Sequence, residues 1–272
     1  MIQNNSSYKI KMTTDSNEVL FSLKGTGDVT VDFGDGSEML LPIDEDDWTE
    51  FYRKHPDKAL RTITVYGENI TELDCADNQL TSLDVSKNSE LTSLSCHENQ
   101  LTSLDVSKNS ELTELNCYWN SITSLDVSNN NALVLLECYR NPLTSLDVTK
   151  NSELVVLGCL LNQLTSLDVS KNKALEELCC LDNQLSSLDV SKNTELRLLA
   201  CSDNQLSSLD VSKNTELTLL DCSNNQLTSL DVSKNSALNE LFCCNNPLTI
   251  LDISKNSVLT EFKHDDDLKI IC

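Results

Sequence analysis

Cysteines stand at positions 75, 96, 117, 138, 159, 180, 201, 222 and 243, each 21 residues after the one before. A fixed period of this length, held over most of a 272-residue chain, is the signature of a solenoid. Each unit is too small to bury its own apolar face, so only stacking on its neighbours gives it a core. The unit beginning at Leu91 reads LTSLSCHENQLTSLDVSKNSE, with apolar residues at Leu91, Leu94, Cys96, Leu101, Leu104 and Val106 and asparagines at Asn99 and Asn109. Leu94 and Cys96 alternate with Ser95, which predicts a short strand with leucine and thiol inward and serine outward. Aromatic residues are only 4% of the chain, so the layers must be packed by Leu, Val, Ile and Cys, which suits thin regular coils.

This arrangement resembles the leucine-rich-repeat consensus L-x-x-L-x-L-x-x-N-x-L, with Cys in the third apolar slot, over about residues 70 to 262. The resemblance implies a leucine-rich-repeat solenoid with a right-handed, curved, parallel β-sheet. The second half of the unit, Leu104 to Asn109, repeats the L-x-L-x-x-N pattern and leaves little length for a helix, so extended or 3₁₀ segments are expected on the convex side. Asn99 and Asn109 are expected to form two ladders at the bends, their amides bonding backbone groups that no strand satisfies. About nine repeats fill residues 67–272, the last coil being degenerate: Phe262 and His264 stand where Leu and Cys belong, and Asp267 where Asn does. The final Leu268 to Cys272 is expected to fold over that coil. Among leucine-rich families, the 21-residue length with an inward Cys is most similar to the cysteine-ladder internalins and related bacterial surface proteins.

Residues 1–66 lack the repeat. Two predicted strands, Tyr8 to Met12 and Glu18 to Leu23, precede Val29 to Ser37, where Asp32-Phe-Gly-Asp-Gly-Ser37 resembles the D-x-G-D-G-S/T turn of polycystic-kidney-disease-type β-sandwich domains. His55 and a strand from Arg61 to Tyr66 follow in the order that resemblance implies. The short length and the acidic insert Asp44 to Glu50 depart from it, so a reduced β-sandwich capping the first coil is expected. Ile63 and Val65 mimic Leu83 and Val85, which predicts a continuous join. Met1 to Ile10 is polar, without the apolar stretch of a secretory signal.

Forty-three acidic against twenty basic residues give a net charge of -23, which opposes binding to nucleic acid or an anionic membrane surface. No apolar run approaches the roughly 20 residues that span a bilayer, so no membrane insertion is expected. The laddered cysteines, one per layer and inward, read as free buried thiols, since parallel side chains suit disulfide geometry poorly. Cys179 and Cys244 fall in outward positions and Cys272 is terminal; without a neighbouring His they read as ordinary exposed thiols. Aspartates from Asp84 to Asp252 recur in D-V-S-K-N, which opens like a calcium loop but lacks its Gly and distal Glu. With Lys87 and its seven equivalents three residues on, a charge ladder is the simpler reading. Asp32 and Asp35 are candidate calcium ligands, although Gly34 and Gly36 say tight turn. The sequons at Asn5 and Asn69 carry little weight. His55, His97 and His264 lie far apart with no convergent nucleophile, so neither an enzyme nor a cofactor is expected.

The segment LTSLDVSKN hardly changes between repeats, whereas the outward strand positions and the two residues after each Cys change in nearly every one. A ligand is therefore expected on the concave strand face. Candidate binding residues are Tyr118, Trp119, Leu135, Glu137, Tyr139, Arg140, Val156, Leu160, Leu161 and Leu181, an exposed aromatic and aliphatic stripe. Leu198, Leu219 and Phe242 extend it. Flanking carboxylates include Glu98, Glu114, Glu177, Asp182 and Asp203. Such a patch suits a protein with an apolar knob and a basic rim, or a glycan stacking on Trp119. The expected function is non-enzymatic recognition or adhesion; the alternative is a structural spacer or self-assembly module of the bacterial surface, the stripe packing a weak homodimer. The internalin resemblance implies a secreted or cell-surface location, while the residues themselves leave a cytoplasmic one open.

Overall fold

The computed structural model describes residues 9–272, so Tyr8 of the first predicted strand and the Asn5 sequon lie outside the described residues. By their internal contacts the residues group into two compact units, Met1–Leu133 and Val134–Cys272.

The first unit begins with six strands: β1 (Lys9–Thr14), β2 (Glu18–Gly25), β3 (Gly27–Asp32), β4 (Glu38–Ile43), β5 (Thr49–Lys54) and β6 (Arg61–Tyr66). Two more follow, β7 (Ile70–Asp74) and β8 (Leu80–Asp84). The order β4-β3-β6-β1-β8 makes one sheet, while β5, β2 and β7 are neighbours in another. Alternation along β1 to β3 sends Ile10, Met12, Val19, Phe21, Leu23, Val29 and Val31 inward, all fully buried or nearly so. Phe21 stacks on Phe51 across the β2–β5 pair at 5.2 Å. Gly34 and Gly36, both with positive φ, make the turn between β3 and β4.

The join to the first coil is continuous, as expected, since both sheets run on into it, but Ile63 and Val65 do not lie directly beside β8. Those residues pair with Met12 and Ile10, and β1 runs antiparallel between β6 and β8. On the other side β2 runs antiparallel to β7. The physical reason lies in edges: an antiparallel strand satisfies the open backbone edge of the first coil and ends the parallel stack. Asn78 completes the seam, accepting from the Leu20 amide at 2.9 Å and donating to the Leu20 carbonyl at 2.7 Å. Beyond it, β9 (Ser93–Ser95) and β10 (Glu114–Asn116) continue in parallel from β7, with Leu73, Leu94 and Leu115 in register.

The second unit repeats one short strand per coil: β11 (Leu135–Glu137), β12 (Val156–Gly158), β13 (Glu177–Cys179), β14 (Leu198–Ala200), β15 (Leu219–Asp221) and β16 (Glu240–Phe242). All are parallel, with Leu136, Leu157, Leu178, Leu199, Leu220 and Leu241 in one row. After β17 (Ile250–Asp252), β18 (Glu261–Lys263) pairs with β16, and β19 (Lys269–Ile271) pairs with β17. The chain end thus adds a strand to the second row and buries Leu268. The laddered leucines, valines and cysteines from Leu133 to Leu241 are buried in every layer. A fully buried Leu or Val contributes about 1.5 to 3 kcal/mol relative to leaving it exposed, which each coil gains only against its neighbours.

Neither unit contains a helix among the described residues, and none there is long and apolar enough to cross a membrane. Of the two expectations for the second half of the repeat, the extended one holds; 3₁₀ helix is absent among the described residues. Paired turns take its place, as where the Asn172 amide donates to the Val169 carbonyl and the Leu175 amide to the Asn172 carbonyl. Both asparagine ladders form. Asn183 donates to the carbonyls of Cys159, Cys180 and Leu181, and its Oδ1 accepts from the Leu164 amide at 2.9 Å. In the second ladder Asn193 donates to the carbonyls of Val169 and Asn172, but its Oδ1 finds no partner in the protein. The two ladders therefore bind their coils unequally.

Candidate functional site

In the second unit the parallel register lays the outward side chains out as a grid. One row along the stack reads Leu135, Val156, Glu177, Leu198 and Leu219; the next reads Glu137, Gly158, Cys179, Ala200 and Asp221. After each ladder cysteine come Tyr139, Leu160 and Leu181 in turn, then Arg140, Leu161 and Asp182. The register therefore brings Leu135, Glu137, Tyr139, Arg140, Val156, Leu160, Leu161 and Leu181 onto adjacent coils of this unit. Tyr118 and Trp119 belong to the first unit. The stripe is less exposed than expected. Trp119 and Arg140 stand out into solvent, whereas Tyr118, Tyr139, Leu135, Val156, Leu160, Leu161 and Leu181 are half-buried. At a strand spacing of about 4.8 Å, neighbouring side chains cover one another's flanks.

In the first unit Tyr118 lies flat on His97, ring centroids 4.3 Å apart, and Ser95 Oγ is 2.9 Å from His97 Nδ1. His97 is half-buried by this stack. Two coils thus contribute to one flat aromatic surface, with Trp119 beside it.

A feature the sequence reading missed is the backbone of the bends. Asp77, Glu98, Trp119, Arg140, Leu161, Asp182, Asp203, Asn224 and Asn245, each just before a ladder asparagine, all have φ between 52° and 56°. The amide at this position donates to the next coil, as from Leu161 to the Leu181 carbonyl at 3.0 Å, so the stack imposes the left-handed turn. Asn and Asp tolerate that conformation; other residues with a Cβ lose about 1 to 2 kcal/mol in it. Five of the nine bends carry the tolerant types, and the four consecutive ones at Glu98, Trp119, Arg140 and Leu161 do not.

Gly158 is a second residue the sequence reading passed over, although a glycine in the outward slot of L-x-L was the available signal. The Glu137 side chain lies down over it, so that a Cβ placed on Gly158 would collide with Oε2. Burial, and then Glu177, raise the Glu137 pKa above the usual carboxylate range. Next in the row, Cys179 is half-buried rather than exposed, and burial followed by Glu137 and Glu177 pushes its thiol up to about 11. That protonated thiol is no nucleophile at neutral pH. The ladder cysteines are free and buried, and burial raises the thiols of Cys96, Cys159 and Cys201 well above their ordinary range.

The laddered aspartates serve a turn as well as the charge ladder expected of them. Asp105, Asp168, Asp189, Asp210 and Asp231 each accept the amide two residues on at 2.9 Å, which lowers their pKa before any lysine acts. None of these five forms an ion pair with the lysine three residues on. An exposed lysine gains little from one fixed contact, whereas the turn amide needs an acceptor. In the cap, Asp32 accepts the Gly34 amide, and Asp35 accepts from Ser37 and pairs with Arg53 at 2.9 Å. His55 is buried with Nδ1 3.2 Å from Asp35, without hydrogen-bond geometry, and burial followed by Arg61 lowers its pKa. Among the described residues no group of three or more His, Cys, Asp or Glu is placed to hold a metal ion.

Among solved structures the chain is similar to the functional domain of InlJ from Listeria monocytogenes, which includes a cysteine ladder: 37% identity and a TM-score of 0.61, over 74% of this chain and 54% of that one. The chain is an internalin-like leucine-rich-repeat protein with a cysteine ladder. This internalin-like chain spans about half the length of the InlJ domain it matches. A leucine-rich-repeat protein of Leptospira interrogans shares the fold at 22% identity and a TM-score of 0.59, over 72% of this chain and 60% of that one. So does the Arabidopsis receptor kinase HAESA, in complex with the peptide hormone IDA and the co-receptor SERK1, at 22% identity and a TM-score of 0.63, over 74% of this chain and 39% of that one. No family model and no curated protein matches the sequence.

Proposed function

We propose that this internalin-like protein is a non-enzymatic recognition or adhesion protein, secreted or held at a cell surface, that binds a protein through the concave, variable face of its strands. The observation that carries the reading is the run of bends at Glu98, Trp119, Arg140 and Leu161, where a left-handed backbone is kept with residue types that it disfavours. Strain retained in consecutive coils points to a use for the side chains themselves. Trp and Arg are also the residue types that dominate interface energetics. The cluster in each unit then has its part: His97, Tyr118 and Trp119 in the first, and Leu135, Glu137, Tyr139, Arg140, Val156, Leu160, Leu161 and Leu181 in the second. Solenoids of this fold seen with protein ligands, as in the HAESA complex, support a protein partner over a glycan.

Replacing Glu98, Trp119, Arg140 and Leu161 together by Asn separates the side chains from the bends they occupy. Wild type and this variant are compared on arrays of extracellular proteins and of glycans, with light scattering of both at the same concentration. The recognition reading expects protein ligands of the wild type that the folded variant loses. Ligands retained by the variant overturn it. A wild-type dimer that becomes a monomer in the variant, with no ligand on either array, establishes the self-assembly module instead.

A further inference from the structure

We propose that the second unit seats a lysine or arginine side chain of a protein partner, its cation on the Glu137 carboxylate that lies over Gly158 and its aliphatic stem against Val156 and Leu160. This rests on the recognition reading and names the partner chemistry at one point of that face.

Gly158 lacks the side chain that any other residue would place beneath Glu137. In the row Glu137, Gly158, Cys179, Ala200, every member between Glu137 and Asp221 is small, while at its glycine end Leu135 and Val156 line one side, with Glu177 next after them, and Leu160 and Leu181 the other. The result is a groove with apolar walls, and Glu137 reaches into its glycine end. Among the described residues the Glu137 carboxylate makes no hydrogen bond or ion pair, its backbone alone pairing with β12. A half-buried carboxylate of this kind has lost water without gaining a partner, and its raised pKa registers that loss. A cation arriving there restores the missing interaction. Lysine and arginine fit better than a small cation, because their methylene stems have apolar walls to cover while the charged end reaches the carboxylate.

The alternatives for this carboxylate are weaker. A metal ion would need further ligands, and Cys179 beside it holds its proton. Glu177 and Asp182, both exposed, add negative potential around the groove, which favours approach of a basic surface and opposes an acidic one.

The test uses the whole chain with glutamate carboxylates labelled by carbon-13, titrated with acetyl-Gly-Lys-Gly-amide and with its norleucine counterpart, which keeps the stem and lacks the charge. Glu137→Gln assigns the resonance. The lysine peptide is expected to move the Glu137 signal more than any other glutamate and to lower its pKa, and the norleucine peptide to leave that pKa unchanged. Val156→Ser with Leu160→Ser, which strips the apolar walls and leaves Gly158 and the Glu137 carboxylate in place, is expected to weaken the lysine response about tenfold; a thermal melt confirms that it folds. Parallel shifts of all glutamates, an equal effect of norleucine, or an undiminished response in the Val156→Ser/Leu160→Ser variant would each overturn the proposal. Such a failure is separable from that of the recognition reading: ligands lost on changing the four bends would keep the surface and remove only its basic subsite.

Discussion

At Asp182, Asp203, Asn224 and Asn245 the left-handed bend is filled by residues whose short polar side chains tolerate it, while at Glu98, Trp119, Arg140 and Leu161 the same φ is imposed on residues that do not. The backbone geometry and the hydrogen bond to the following coil are shared; only the side chain differs. One set of coils is therefore built for its own stability, and the other gives some of it up where large apolar or charged groups face outward. The recognition reading proposed above rests on this difference, for which every coil serves as a control for the others.

The largest expected effect tests whether the two sets share a scaffold. Asn183 and Asn162 each satisfy four backbone groups across two coils, one after a tolerant bend and the other after Leu161. Changing either to Ala is expected to cost about 3 kcal/mol or more, since several buried groups lose their partners at once. Chemical denaturation should give similar losses at the two sites; a much smaller loss at Asn162 would show that the bend, and not the ladder, governs that coil. Next come the bends themselves. Leu161→Asn is expected to gain about 1 kcal/mol and Asp182→Leu to lose about as much, read as opposite shifts in thermal midpoint. Shifts of the same sign would end the comparison.

The smallest effect carries the comparison from backbone to charge. The Glu137 pKa is raised in the folded chain, so as pH rises the unfolded chain loses this proton first, from about 4.3. The native state is then penalised increasingly until its own group ionises, and the penalty persists above that pH. Glu137→Gln should therefore stabilise the protein at neutral pH, by less than the bend substitutions, and the gain should vanish below about pH 4. A gain independent of pH would mean that packing, not the charge, is responsible.

Much of the coil was legible because its causes are local and periodic. Leu94, Cys96, Asn99 and Asn109 announce an inward layer and two ladders through spacing alone, and the structure places them so. The left-handed bend was legible in principle, since Asp or Asn recurs at five of its nine positions, but Glu98, Trp119, Arg140 and Leu161 carry no local preference for it and break the pattern. The insertion of β1 between β6 and β8 was not legible: Met12 meets Leu83 across a long stretch of sequence, and no local pattern encodes an antiparallel partner at that distance. The half-burial of Leu160 and Leu181 escaped for a similar reason, because cover comes from the neighbouring coil, 21 residues away. In Asp105, charge alternation with Lys108 concealed the stronger local preference for the Ser107 amide.

The seam around Asn78 has a kinetic consequence. Coils with nearly identical LTSLDVSKN segments can dock on one another one unit out of step with little change in energy, so a growing stack has no internal means of counting. The contacts of Leu20 with Asn78, and of β1 with β8, are of a kind the later coils do not repeat. They mark one coil as the first, and from that origin every subsequent coil has a defined number.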